Sequence, residues 1–351
     1  MFIVGLGTAA PAKRYTQKEC WDVFTRSAYS KQLSPRSRAI VKKVLNGNNG
    51  IDSRHLVLDD LNQAFDLTPD DLHARFVKHA PVLASQAAER AIADAGLSPD
   101  KVDAILISTC TGYLCPGLTS YVAERLKLRA NLLALDLVGQ GCGAALPNLR
   151  TAEALLASGK CENVLCCCVE VCSAALYFDD DPGVLVSACL FGDGAAAAVV
   201  SAQPNGKRRI AWKNSASFIC PADRELLRFE QKAGLLRNIL TTQVPEVASA
   251  HAQKLFFDLL AGSDISPSQI KGWVLHPGGR DVLIALRERL HLQQHDTRWS
   301  EGVLREYGNL SSPSVLFVLD AALHDSGPSG LWWMSSFGAG FSCHGALLEV
   351  E

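Results

Sequence analysis

The chain has almost no net charge: 34 lysines and arginines face 36 aspartates and glutamates among 351 residues, a formal balance of −2. Without a basic surplus there is no electrostatic footprint for nucleic acid or an anionic membrane, and any anionic ligand must be held by local groups. Long hydrophobic runs are missing too. Even VLCCCVEVCSAALYF (164–178) carries Glu170 and meets Asp179 to Asp181, short of the roughly 18 to 20 apolar residues that cross a bilayer. The opening MFIVGLGTAAPAKRY is apolar only briefly and lacks a basic leader, so a cytoplasmic protein with no membrane insertion is expected.

Metal motifs are equally scarce. There is no CxxC pair and no helical HxxxH, and Cys110 and Cys115 lack a matching second pair, so no metal is expected. The glycine-rich FGDGAAAAVV (191–200) lacks the Lys-Ser/Thr of a phosphate loop, which leaves Gly192, Asp193 and Gly194 as structural turn residues. Asp179 to Asp181, before Pro182, are read as a solvated acidic turn. Twelve cysteines are present, but in a long chain with Cys166, Cys167 and Cys168 side by side in an apolar strand, reduced buried thiols are the better reading than disulfides.

What is present is ordinary globular material, 48% hydrophobic and 20% charged, long enough for two domains or one duplicated unit. Helix-like and strand-like patterns alternate, as in LASQAAERAIADAGL (83–97) followed by VDAILIST (102–109), which predicts an α/β fold with sheets covered by helices. GLSPDKVDAILIS (96–108) is echoed by DISPSQIKGWVLH (264–276), GCGAALPNLRTAEALL by the segment from Asn309, and FGDGAAAAVVS (191–201) by FGAGFSCHGALLEV (337–350). Repetition at half-chain length predicts two related halves about a pseudo-twofold axis, residues 1–205 and 206–351, meeting in the polar QPNGKR stretch of 203–208.

Three residues stand in chemically suggestive settings. Cys142 lies between glycines, after an apolar strand ending at Val138 and before a long helical pattern. Unpaired N–H groups at a helix start favour the thiolate, the form that attacks a thioester, although a cysteine is more often a small buried hydrophobe. His276 ends the strand WVLHPGG, pinned by Pro277, while the five histidines 79, 251, 291, 295 and 324 lie in polar or helical contexts where a merely satisfied imidazole is the ordinary expectation. Asn309, in EYGNLSSPSVLFVLD, precedes a helix and equally suits an N-cap, as Ser311 or Ser312 would.

The GCGA loop at Cys142, LFGDGAAA (190–197), HPGG (276–279), EYGNLSS (306–312) and SFGAGF (336–341) together resemble the type III polyketide synthases related to chalcone and stilbene synthases, over nearly the whole chain. The resemblance implies a thiolase fold in five αβαβα layers, a homodimer, and a Cys142–His276–Asn309 centre acting on coenzyme A thioesters, an acyl-CoA starter and malonyl-CoA, with no cofactor. It further carries over Cys110, Cys115, Cys172, Arg237 and Gly338 as pocket positions, Cys115 near the dimer contact, and Arg54, Gly278 and Gly279 as coenzyme A contacts. The small sulfur side chains resemble bacterial synthases with fatty acyl starters. Two family aromatics are not found: Arg237 stands where one phenylalanine is usual, and none occurs around Ile210 and Ala211.

Two enzyme rivals on the same fold are set aside by motif. HPGG replaces the HQAN-like pattern of an initiating ketosynthase, and no glutamate stands near the motif positions to serve as the base of a hydroxymethylglutaryl-CoA synthase. A catalytically silent acyl-binding subunit is disfavoured because all three reactive residues are kept.

Overall fold

A computed structural model of the chain describes residues 1–206 and 209–351; Lys207 and Arg208, the end of the expected boundary stretch, lie outside the described residues. Nine strands carry the architecture: β1 (Phe2–Ala9), β2 (Ala104–Ser108), β3 (Leu133–Leu137), β4 (Asn163–Glu170), β5 (Gly194–Ser201), β6 (Ile210–Ile219), β7 (Ile270–Leu275), β8 (Gly330–Gly338) and β9 (Ser342–Val350). They are joined in the order β7-β8-β9-β6-β1-β5-β4-β2-β3. Among the described residues, the section built from the first five strands pairs with the section built from the last four through Phe2 with Ala211 and Ile3 with Ile210.

The pairing pattern repeats. In the first section β2 runs parallel to β4, which is antiparallel to β5, itself antiparallel to β1. In the second, β7 runs parallel to β8, which is antiparallel to β9, itself antiparallel to β6. Both β2 and β7 follow a single 3₁₀ turn opened by proline, Pro99–Lys101 and Pro267–Gln269.

Helices α1 (Pro69–Ala95), α2 (Leu118–Leu126), α3 (Ala145–Ala157), α4 (Val244–Ala261), α5 (Arg280–Leu290) and α6 (Ser314–His324) cover the strands. The layering follows from which face each strand residue presents, because successive side chains alternate. Ala104 and Leu106 of β2 and Trp332 and Met334 of β8 share one core with Leu146 and Leu149 of α3 and Val315 and Leu319 of α6. Ile105 and Ile107 face the opposite way, onto α1 and α2, while Trp333 faces Phe256 of α4 and Leu283 of α5. The result is five layers, helix–sheet–helix–sheet–helix, with α3 and α6 in the middle. Strands buried on both faces need continuous apolar sequence, which is why AILIS and LWWM show no alternation.

Helix α1 shows how sequence sets these elements. Thr68 caps it by accepting from the Asp71 amide, Pro69 fills the first turn, and Gly96 ends it with φ 70°. Its alanine face lies so close to β1 that a Cβ on Gly5 or Gly7 would come within 2.2 or 2.3 Å of the Ala91 or Ala87 carbonyl oxygen. No helix among the described residues is long and apolar enough to cross a membrane.

Candidate active site

Cys142 occupies the 3₁₀ turn Gly141–Gly143 that leads into α3. Gly141 has φ +54°, a conformation that costs other residues strain. The end of β8 presses on the same turn: a Cβ on Gly338 would lie 2.4 Å from the Gln140 carbonyl oxygen and 2.5 Å from the Gly143 nitrogen, and Ser336 Oγ donates to the Gly143 carbonyl across 3.0 Å. The thiol therefore projects from a turn whose backbone is held from behind. Ser311 Oγ donates to its sulfur at 3.3 Å.

The expected thiolate is corrected by the surroundings. Burial pushes the Cys142 thiol up to about 12; the Ser311 hydrogen bond opposes this and the Glu170 carboxylate adds to it. Loss of water around the sulfur outweighs the helix start, whose effect amounts to about 2 kcal/mol at most.

His276 follows β7 and is 1% exposed, its amide bound to the Ser335 carbonyl and its ring edge-on to Phe337 at 5.0 Å. Neither ring nitrogen has a hydrogen-bond partner. Burial lowers its pKa to about 3 and so favours the neutral imidazole, as burial favours the neutral Cys142 thiol.

Asn309 is not a helix cap, because α6 begins only at Ser314 with Pro313 at its cap. Its Oδ1 instead accepts from the Ser311 amide (2.8 Å), holding Ser311 at φ 60°, and its Nδ2 donates to the Gly278 carbonyl (3.2 Å). Backbone bonds to Leu190 and Gly192 tie Asn309 to the FGDG segment. The motifs around 142, 191, 276 and 309 thus converge on one place. Asp193 plays the structural part expected of it, accepting from Val57 and Ser173 while fully buried.

A cleft of about 640 Å³ opens onto Cys142, walled largely by apolar side chains and also by Cys110, Cys172 and Ser311. Aromatic side chains are present in it after all. Phe191, from the LFGDG motif, and Phe229 line it, whereas Ile210 and Ala211 are sheet residues paired with β1.

Other expected pocket and coenzyme contacts are placed elsewhere. Arg237, in the hairpin of Leu227–Lys232 with Leu235–Leu240, does not line the cleft; its neighbour Asn238 does, paired across the hairpin with Phe229. Its guanidinium is consumed by Asp179 (2.9 Å), Asp181 (3.2 Å) and Glu230 (2.9 Å), so the acidic turn is ion-paired rather than simply solvated, and Asp181 also caps helix Pro182–Leu190. Arg54 is buried and donates to the Ala188 and Phe191 carbonyls, to Gln17 and to the Cys20 sulfur, and it does not line the cleft at Cys142. Cys115 is exposed, and Gly338 supports the turn behind the cleft instead of lining it. Gly278 positions Asn309, and Gly279 starts α5.

One buried acid beside the site escaped motif reading. Glu170, at the end of β4, is fully buried with no cation beside it and accepts from the Cys110 amide (3.0 Å), Thr111 (2.9 Å) and Ser312 (2.5 Å), with Ser311 at 3.5 Å. Burial raises its pKa against these donors. The expectation that no glutamate stands near the motifs is therefore wrong in space: β4 delivers Glu170 from a stretch that reads only as apolar strand.

Comparison with known proteins decides the family. The family described as FAE1/type III polyketide synthase-like protein matches residues 9–216, more than half of the chain. The chain belongs to the type III polyketide synthases. The chalcone and stilbene synthase C-terminal domain matches residues 215–348 of the synthase. It is 30% identical to a 3,5-dihydroxyphenylacetyl-CoA synthase of Streptomyces toyocaensis, over 99% of this chain and 89% of that one. A 1,3,6,8-tetrahydroxynaphthalene synthase of Streptomyces peucetius subsp. caesius is 29% identical, over 99% and 92%. The solved tetrahydroxynaphthalene synthase of Streptomyces coelicolor A3(2) superposes with a TM-score of 0.91 at 23% identity, over 100% of this chain and 99% of that one, which establishes the shared fold. The five layers are those of the thiolase fold, and the protein is an acyltransferase of this family.

Proposed function

We propose that the synthase loads an acyl-CoA starter on Cys142 and extends it with malonyl-CoA by decarboxylative Claisen condensation. The observation that carries this reading is the thiol of Cys142 at the wall of an apolar cleft, linked through Ser311 and Asn309 to Gly278, two residues after the buried His276. His276 takes the thiol proton as sulfur attacks the starter thioester, and coenzyme A leaves with that proton. Malonyl-CoA then enters; His276 and the free N–H of the Asn309 amide hydrogen-bond its thioester carbonyl. Loss of carbon dioxide leaves an enolate whose charge these donors stabilise; its carbon attacks the acyl-Cys142 thioester, the carbon–sulfur bond breaks to release Cys142 as a thiolate that is then reprotonated, and the extended chain remains on coenzyme A. Asn309 is neutral and polarises without giving up a proton.

The starter we favour is a fatty acyl chain. A second cavity of about 560 Å³, walled by Val23, Phe24, Leu45, Leu61 and Phe65 among others, shares Leu176, Ala188 and Phe191 with the first. An apolar chain passing this shared wall would bury its length there. Ring products are supported by the relatives, whose names specify a dihydroxyphenylacetyl and a tetrahydroxynaphthalene product; a pyrone, resorcinol or phloroglucinol is the proposed class. A homodimer is part of the proposal, supported by the exposed Leu133 and Leu135 of edge strand β3, with the exposed Val138 just after it.

The test is incubation with labelled malonyl-CoA and starters of graded chain length, beside Cys142→Ala, with carbon dioxide and products measured. Starter-dependent products from wild type and none from the variant support the reading. Malonyl-CoA left intact with every starter overturns it and leaves single acyl transfer as the alternative.

A further inference from the structure

Away from the cleft, three side chains of different chemistry come together. Cys220 ends the β6 segment, Asp223 lies in the 3₁₀ turn Pro221–Leu226, and His251 sits midway along α4. Their donor atoms all lie within 4.8 Å of one another, and no other such group of three occurs among the described residues. His251 Nε2 and Asp223 Oδ2 are 2.8 Å apart, and both histidine and cysteine hydrogen-bond to this carboxylate, which holds it below the usual carboxylate range. All three are partly exposed, so an ion has a path from solvent.

We propose that Cys220, Asp223 and His251 form a binding site for a divalent cation of the zinc class. A thiolate, an imidazole and a carboxylate are donors that suit zinc, and three protein ligands leave a fourth position for water. Zinc bonds of about 2.0–2.3 Å in a tetrahedron require ligand atoms roughly 3.3–3.8 Å apart, so the His251–Asp223 contact opens by about half an ångström as the ion enters between them, the imidazole keeping its proton on Nδ1. The Cys220 thiol releases its proton on binding; the other two ligands enter as neutral imidazole and carboxylate.

The place is firmly built and connects to the catalytic wall. Cys220 exchanges two backbone hydrogen bonds with Phe341, at 2.8 and 3.2 Å. The His251 ring packs against Phe218 and Phe341, Phe341 stacks on Phe337, and Phe337 meets His276 edge-on. A bound ion fastens β6 and the Phe341 turn to α4, directly behind the aromatic pair that shapes the His276 pocket. The site is independent of which starter or product the synthase uses.

The test is a Co²⁺ titration of the full chain followed by its thiolate charge-transfer and d–d absorption, with Zn²⁺ stoichiometry by equilibrium dialysis. One ion per chain is expected, with tetrahedral d–d bands and a rise in Tm on adding Zn²⁺. Cys220→Ser and His251→Asn should each weaken binding at least tenfold and remove the Tm rise, Asp223→Asn should weaken it less, and Cys142→Ala should leave it unchanged. Circular dichroism checks that each variant is folded. Binding that survives in Cys220→Ser, that disappears in Cys142→Ala, or that is absent from the folded wild type at micromolar Zn²⁺ overturns the proposal.

Discussion

Ser311 donates a hydrogen bond to the sulfur of Cys142 across 3.3 Å, though 169 residues separate them in the chain. The same hydroxyl lies 3.5 Å from Glu170, so one proton is shared between a nucleophile and a buried carboxylate. Ser311→Ala removes the one side-chain group that draws the thiol pKa downward. We expect kcat to fall about tenfold, the equivalent of roughly 1.4 kcal/mol, with a smaller change in KM, and iodoacetamide to alkylate Cys142 more slowly.

Gly338→Ala tests the turn from behind. The added methyl meets backbone atoms at 2.4 and 2.5 Å, which cannot swing aside as a flexible side chain would. The Cys142 turn must move, and we expect stability to drop by about 2–3 kcal/mol and kcat by about a hundredfold or more, measured by urea denaturation and product formation.

Arg237→Ala leaves Asp179, Asp181 and Glu230 without their common partner. The carboxylates are partly exposed, so we expect a modest loss of about 1–2 kcal/mol that shrinks as salt is raised. Faster proteolysis within Leu227–Leu240 would show that the ion pairs pin this hairpin; unchanged proteolysis and stability would sink the idea.

The pH dependence of stability contains a signature of His276. Its folded pKa, about 3, lies below the roughly 6.5 of an unfolded histidine, so the unfolded state binds the extra proton between these values. The stability contributed is complete above about 6.5 and is lost as pH falls towards 3. Glu170 and Asp193, whose pKa values are raised, act with the opposite sign, losing their contribution as pH rises through their folded values. The difference between wild type and His276→Gln isolates the histidine. Denaturation from pH 4 to 6 should show a wild-type slope greater by up to one proton, about 1.4 kcal/mol per pH unit.

Much of the site was legible because its parts are local. A cysteine between glycines at a helix start, a histidine at a strand end opening HPGG, and an asparagine in EYGNLSS each carry their context within ten residues. Glu170 was illegible for the opposite reason: its meaning comes from Cys110, Thr111, Ser311 and Ser312, none of them its sequence neighbours. Phe191 stood in a quoted motif, but which of its faces meets the cleft depends on the bridge between Phe191 and Asn309. Arg237 and Arg54 were misread because a sequence shows a charged side chain without showing the partners that already hold it.

By itself the sequence determined the layered α/β fold, the strands that lie buried on both faces, and the motifs that identify a type III polyketide synthase, because apolar periodicity and backbone-demanding glycines act over short distances. Tertiary structure alone decided the charge state of the site. Whether a thiol or an imidazole is ionised depends on how much water the whole fold removes, and here burial drives Cys142 and His276 towards their neutral forms. It also decided which distant residues meet, as at Cys220, Asp223 and His251, because proximity in space is set by the packing of layers and leaves no mark on the spacing of residues along the chain.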